Sequence, residues 1–229
     1  MALSIGGAVK NTGATSTRSI DIPSGIQDGD YWLILCAQAD DIPAVVAPSG
    51  FDTVYNGGHN IGIDRNYSAF AKHYFTAPTG AVNITGGAEV TWVTISCYVR
   101  GGDSGTFLSG TAGTATDNQN MDSPVATAPN AGGSSGDIVV STVCTAAAGC
   151  GVPGLVAPTG MTLLAEYKYG DAAGNAQIAA AWEAYADDTA HTFTNAANAR
   201  DWSGISFTIQ AGSGAPTGQI ITVYQNDIV

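Results

Sequence analysis

The feature that most constrains this chain is an internal duplication. Val46-Ala47-Pro48-Ser49-Gly50-Phe51 returns as Val156-Ala157-Pro158-Thr159-Gly160-Met161, an offset of 110 residues. The same offset carries Ala69 and Ala71 onto Ala179 and Ala181, Phe75 onto Tyr185, Trp92 onto Trp202, and Ile95-Ser96 onto Ile205-Ser206. Upstream, Gly29-Asp30 before an apolar run ending at Cys36 matches Gly136-Asp137 before a run ending at Cys144, with the offset slipping to 107 or 108. The repeat units are residues 18–100 and 123–210. A duplicated unit keeps one structure, so any reading of one half must also hold for the other.

Each unit reads as strands. Val93, Ile95, Cys97 and Val99 alternate with polar residues, as do Ile205, Phe207 and Ile209, which is the pattern of a half-buried strand. The runs Tyr31 to Ala37 and Ile138 to Cys144 are apolar on both parities, as in a central strand covered on two sides. Pro-Ser-Gly and Pro-Thr-Gly mark a tight bend in each half. Further strands are expected at 18–22, 52–55, 67–75, 82–85, 163–167, 178–185 and 192–194. The alanine-rich stretch Ile178 to Ala186 has helical propensity, but its aromatic-rich partner Tyr67 to Phe75 argues for a strand in both. Ile95, Val99, Ile205, Ile209, Leu33, Leu35 and Val140 are the expected core.

The fold expected is all-β: an antiparallel β-sandwich of jelly-roll type, with 12 to 14 short strands, built from the two repeats as a single body over residues 1–229. Two tandem Ig-like domains are the alternative. The Gly-, Ser- and Thr-rich stretch 101–122 reads as the linker. Beyond a second such loop, Gln219 to Tyr224 has strong β-propensity and no counterpart in the first repeat, giving a C-terminal strand at 219–225. An apolar strand left as an open edge invites aggregation. It is therefore expected to be paired, closing a sheet or joining a neighbouring subunit, and a homo-oligomer, most plausibly a trimer, follows.

Composition narrows the partners. Only 11% of residues are charged while 45% are hydrophobic, which excludes intrinsic disorder. Seven Lys and Arg against 19 Asp and Glu give a net charge of −12, arguing against nucleic acid and anionic membranes. The first residues lack a basic and an apolar signal region, and no apolar run approaches the ~20 residues that span a bilayer. A soluble protein made in a cytoplasm is expected. The four cysteines, Cys36, Cys97, Cys144 and Cys150, read as buried thiols, although Cys144 and Cys150 are near enough in sequence to close a local loop outside the cell.

Candidate chemistry is thin. Gly102-Asp103-Ser104-Gly105 resembles the segment around the nucleophilic serine of trypsin-like proteases, but such a serine also needs a histidine base and an orienting carboxylate, and this peptide lies in a flexible linker instead of a rigid elbow. Gly149-Cys150-Gly151-Val152-Pro153-Gly154 matches G-x-G-x-x-G formally, yet Pro153 forbids the helix that a dinucleotide site requires. His59, His73 and His191 are not equivalent between repeats and show no zinc spacing. Asp40-Asp41 and Asp187-Asp188 offer oxygen ligands for calcium, but acidic pairs in loops are usually just solvated. Trp92 and Trp202 face away from the main apolar stripe, as a sugar-stacking platform or, on the preferred reading, as packing under a loop. No catalytic, cofactor or metal residue is assigned, and no cofactor.

The leading Gly-Asp, the Pro-Ser/Thr-Gly turn with its apolar follower, the strand carrying Ala-x-Ala and the Trp-initiated strand, all present twice, resemble a family of tailed-bacteriophage virion proteins, the tail or minor structural proteins. The resemblance covers residues 18–210. It implies a jelly-roll β-sandwich displayed on a capsid or tail, non-enzymatic, in contact with major capsid or tail proteins, and located in the virion. A binding module for host-surface carbohydrate is the alternative function.

Overall fold

The computed structural model describes residues 3–38, 45–59, 65–85, 91–109, 113–121, 125–126, 133–147, 155–169, 175–187, 189–195 and 200–212. Among them sixteen strands form and no helix. The first half supplies β1 (Ser4–Gly13), β2 (Arg18–Ile20), β3 (Tyr31–Gln38), β4 (Asp52–His59), β5 (Arg65–His73), β6 (Val82–Ile84) and β7 (Trp92–Arg100). The second supplies β8 (Gly113–Met121), β9 (Val125–Ala126), β10 (Ile138–Ala147), β11 (Leu155–Val156), β12 (Thr162–Lys168), β13 (Asn175–Ala184), β14 (His191–Thr192), β15 (Thr194–Asn195) and β16 (Arg200–Ile209).

Two five-stranded antiparallel sheets carry the body. One runs β1-β7-β3-β5-β4 and the other β8-β16-β10-β13-β12, the same order strand for strand. A register shift also falls at the same place in the two edge pairs, between Thr53 and Tyr55 in β4 and between Leu163 and Ala165 in β12. The sheets pack face to face as an antiparallel β-sandwich.

Strand periodicity explains the layering. On β3, Tyr31, Leu33, Leu35 and Ala37 point into the layer between the sheets, while Trp32, Ile34 and Cys36 point the other way. All eight residues of this strand are buried. The inner layer collects Val93, Ile95, Cys97 and Val99 from β7, Ile138, Val140 and Cys144 from β10, and Ile205, Phe207 and Ile209 from β16. All seven residues expected in the core are in it. Each sheet also has an outer layer. Ile20 and Ile84, from the β2–β6 ladder, join Trp32, Ile34, Phe51, Phe70 and Trp92 on one side. Leu155, in the β11–β15 ladder, and Phe193 beside it join Val139, Val143, Met161, Ala179 and Ala181 on the other.

Several expectations change. A jelly roll interleaves strands between its sheets, whereas each large sheet here takes its described strands from one half alone, as short connections between neighbouring strands favour. Residues 113–121, read as part of the linker, form β8 and pair with β16. Their small residues gave no apolar alternation, and main-chain pairing makes the strand. β1 was not anticipated, because Gly6 and Gly7 break its pattern where it bulges between Gly6 and Val9. Ile178 to Ala184 is strand, as the duplication argued. The offset of 110 does not hold there, however. Tyr31 faces His73 and Ile138 faces Ala184, so the ladder offset is 111 and Ala69 matches Ala180. A one-residue slip reverses the face: Ala69 and Ala71 lie in the inner layer, Ala179 and Ala181 in an outer one. The counterpart of Tyr185 is accordingly Tyr74, whose N–H bonds the Asp30 carbonyl as that of Tyr185 bonds Asp137. The C-terminal strand at 219–225 lies outside the described residues.

Candidate functional site

The repeated motifs prove to be devices that hold turns. Gly29 and Gly136 have φ of +84° and +103°, which favours glycine. The aspartate that follows closes each turn: Asp30 Oδ2 accepts from the Gln27 N–H and Asp137 Oδ2 from the Ser134 N–H, both at 2.8 Å. Asp30 then takes the Arg100 guanidinium through Nε and Nη2 at 2.9 and 2.8 Å. Asp137 instead accepts the Ser109 hydroxyl and the Ala211 N–H, each at 2.8 Å, and so ties both ends of the second half together. The Pro-Ser-Gly and Pro-Thr-Gly bends close through Phe51 N–H to the Pro48 carbonyl and Met161 N–H to the Pro158 carbonyl.

The site with chemical potential lies on the outer face of the second sheet. A cleft of about 460 Å³ is lined by Thr159, Glu183, Asp187, Thr189, His191 and Thr194 among others. β13 carries Glu183 and β14 carries His191. His191 is 5% exposed and sits between two partners: its Nε2 lies 2.8 Å from Glu183 Oε1 and its Nδ1 lies 2.8 Å from Ser141 Oγ. Ser141 Oγ lies 2.7 Å from Ser206 Oγ. In the neutral ring Nε2–H donates to the carboxylate and Nδ1 accepts the Ser141 hydroxyl. The chain of bonds thus runs from the strand pair β10–β16 to Glu183 at the cleft. Asp187 at the rim is held below the usual carboxylate range by hydrogen bonds from the Thr189 side chain and backbone.

A serine, a histidine and a carboxylate in sequence is the order of an acyl-transfer triad. Here the serine is fully buried and does not line the cleft, whose polar groups are Glu183, Asp187, His191 and the threonines. The arrangement orients a carboxylate. Sequence reasoning missed it because Ser141 and Thr142 were absorbed into the apolar run of β10. The signal was there: on the ladder register Ser141 stands where the first half has Ile34, and both pair with a serine of the neighbouring strand, Ser206 and Ser96.

The other candidates separate. Asp103 Oδ1 accepts from the Gly105 and Thr106 N–H groups, so Gly102-Asp103-Ser104-Gly105 is a local turn, tied to the residue after β16 by the Asp103 N–H on the Gln210 carbonyl. The glycine motif 149–154, Asp40-Asp41, Asp188 and Cys150 lie outside the described residues. His73 bonds the Gly29 carbonyl at 3.2 Å and lies between Tyr31, to which its ring is tilted, and Phe75, which it meets edge-on, and His59 ends β4. Among the described residues no group of three or more His, Cys, Asp or Glu could hold a metal ion, and no helix is long and apolar enough to cross a membrane. Trp92 is buried in the outer layer of the first half, with the Arg18 guanidinium 5.9 Å from its ring, so it packs and does not present a platform. Arg18 is itself fully buried and bonded to Gln38 Oε1, and its Nε and Nη1 have no hydrogen-bond partner among the described residues. Cys36 and Cys97 are buried, and burial pushes both thiols up. Comparison of the chain with protein-family models, with curated proteins and with solved structures found no match.

Proposed function

We propose that the protein is a non-enzymatic structural subunit of a tailed-phage virion, displayed on the particle as a head-decoration or tail component and repeated by symmetry. The observation that carries this reading is how the buried polar groups are spent. The repeated aspartates, which head the resemblance to the virion proteins, hold turns and stitch segments: Asp30 to Arg100, Asp137 to Ser109 and Ala211. Two sheets joined through one apolar layer form a stiff block, and a surface poor in charge suits close contact with neighbours, since charge is depleted at interface cores. Homo-oligomerisation, with a trimer as the favoured state, belongs to the same proposal.

Immunogold labelling of purified particles, with copy number from gel densitometry, tests it. Many copies on the shell indicate decoration and a few at the tail indicate a tail component. Absence from particles overturns the proposal.

A further inference from the structure

The two outer layers are unequal. On matched ladder positions the first half places Trp32, Ile34 and Phe70 where the second places Val139, Ser141 and Ala181, and after the repeated turn Phe51 stands where the second half has Met161. The smaller set admits the His191 ring against Ser141 and leaves the cleft above it. Lys72, which matches Glu183 on the register, lies over the Phe51 and Tyr74 rings at 5.8 and 4.8 Å. In the second half Glu183 faces the cleft instead, fixed from behind by His191. One scaffold is filled in one half and hollowed, with an oriented carboxylate, in the other.

We infer that this cleft is a binding site for a neutral, polyhydroxylated ligand, a saccharide unit. Its volume of about 460 Å³ lies within the range of small-molecule sites. Its polar lining is the Glu183 and Asp187 carboxylates, four threonine side chains and the His191 ring, whose two nitrogens are already bonded to Ser141 and Glu183. Carboxylates accept from the vicinal hydroxyls of a sugar, and threonine hydroxyls both donate and accept. Among the described residues the lining contains no Lys or Arg, so phosphates and sugar acids meet the Glu183 and Asp187 carboxylates without a compensating Lys or Arg. A carboxylate locked by a buried hydrogen-bond chain loses little freedom on binding, as a preorganised recognition group should. This inference stands apart from where the protein is displayed, and particle labelling leaves it untouched.

The test is titration of the full chain with methyl glycosides of neutral hexoses and N-acetylhexosamines, followed by NMR shifts and calorimetry. Glucuronic acid and n-butylammonium are the comparison arms. Saturable binding of at least one neutral glycoside, shifting His191 and Thr159 resonances, is expected, with glucuronic acid bound at least about tenfold more weakly. Thr159→Val, an exposed rim change that leaves the buried chain intact, and Glu183→Gln, checked for folding by near-ultraviolet circular dichroism, should each weaken binding about tenfold. Three results overturn the inference: no neutral glycoside perturbs the cleft, binding survives both substitutions unchanged, or only the alkylammonium binds.

Discussion

Removing the carboxylate of Asp137 tests whether the Gly-Asp motif is a structural weld. Asp137 is 3% exposed and its two oxygens receive three donors, the Ser134 N–H, the Ser109 hydroxyl and the Ala211 N–H. A hydrogen bond to a charged acceptor contributes about 1.5 to 3 kcal/mol net, and less where the donor regains water. Ser134 is exposed and its N–H is resolvated in Asp137→Ala, whereas Ser109 and Ala211 are half-buried. Two partly buried donors left bare therefore cost about 3 kcal/mol, which for a chain of this size lowers Tm by roughly 6 to 12 °C. Asp137→Asn, which keeps one acceptor oxygen, should fall between. Urea unfolding followed by tryptophan fluorescence measures both. A loss below about 1 kcal/mol for Asp137→Ala, or Asn worse than Ala, would refute the claim that these bonds join the connector and the end of β16 to the turn before β10.

Further outcomes follow from the layers. Ile205→Ala, at 1% exposure in the inner layer, should cost about 2 to 5 kcal/mol by cavity formation, read from the urea midpoint. Replacing the buried Arg18 and Gln38 together by Met and Leu should leave stability unchanged or raise it by about 1 to 4 kcal/mol, because the guanidinium is desolvated and two of its nitrogens have no partner among the described residues; a strong loss in calorimetry would contradict this. Burial raises the Cys36, Cys97 and Tyr67 groups, so the folded protein holds their protons where the unfolded chain ionises, from about pH 8.5 for thiols and about pH 10 for the phenol. Stability is then full below about pH 8 and falls as pH rises, and a urea midpoint equal at pH 7 and pH 10 would show the reasoning wrong.

What could be read from residues alone depended on whether a pattern carried side chains large enough to see. The stripe Val93, Ile95, Cys97, Val99 and its match in β16 specified strand, face and layer, because period-2 alternation of branched residues has one reading. The two parities of β3 likewise announced cover on both sides. β8 was illegible, since Gly113-Thr114-Ala115-Thr116 has no apolar contrast and its identity comes from pairing with β16. Alanine hid the slip between β5 and β13: with small residues on both faces, a one-residue shift leaves the composition looking the same while exchanging the layers. The cleft was hidden for a different reason. Ser141, Glu183, His191 and Ser206 are spread over 66 residues of sequence, and only the ladder brings them together.

That each large sheet takes its described strands from one half has a consequence for synthesis. When the ribosome has released β1 to β7, the first sheet can close, but its inner face, with Leu33, Leu35, Ile95 and Val99, has nothing on it. The partner face arrives after roughly 110 more residues, about 5 to 20 s at ordinary elongation rates. During that interval the nascent half offers other nascent halves a flat apolar surface of the shape that it later presents to its own second sheet. Dense polysomes on such a message favour pairing in trans, so slower initiation, or a chaperone that covers the first sheet, should raise the yield of correctly closed chains more than any change to the finished fold.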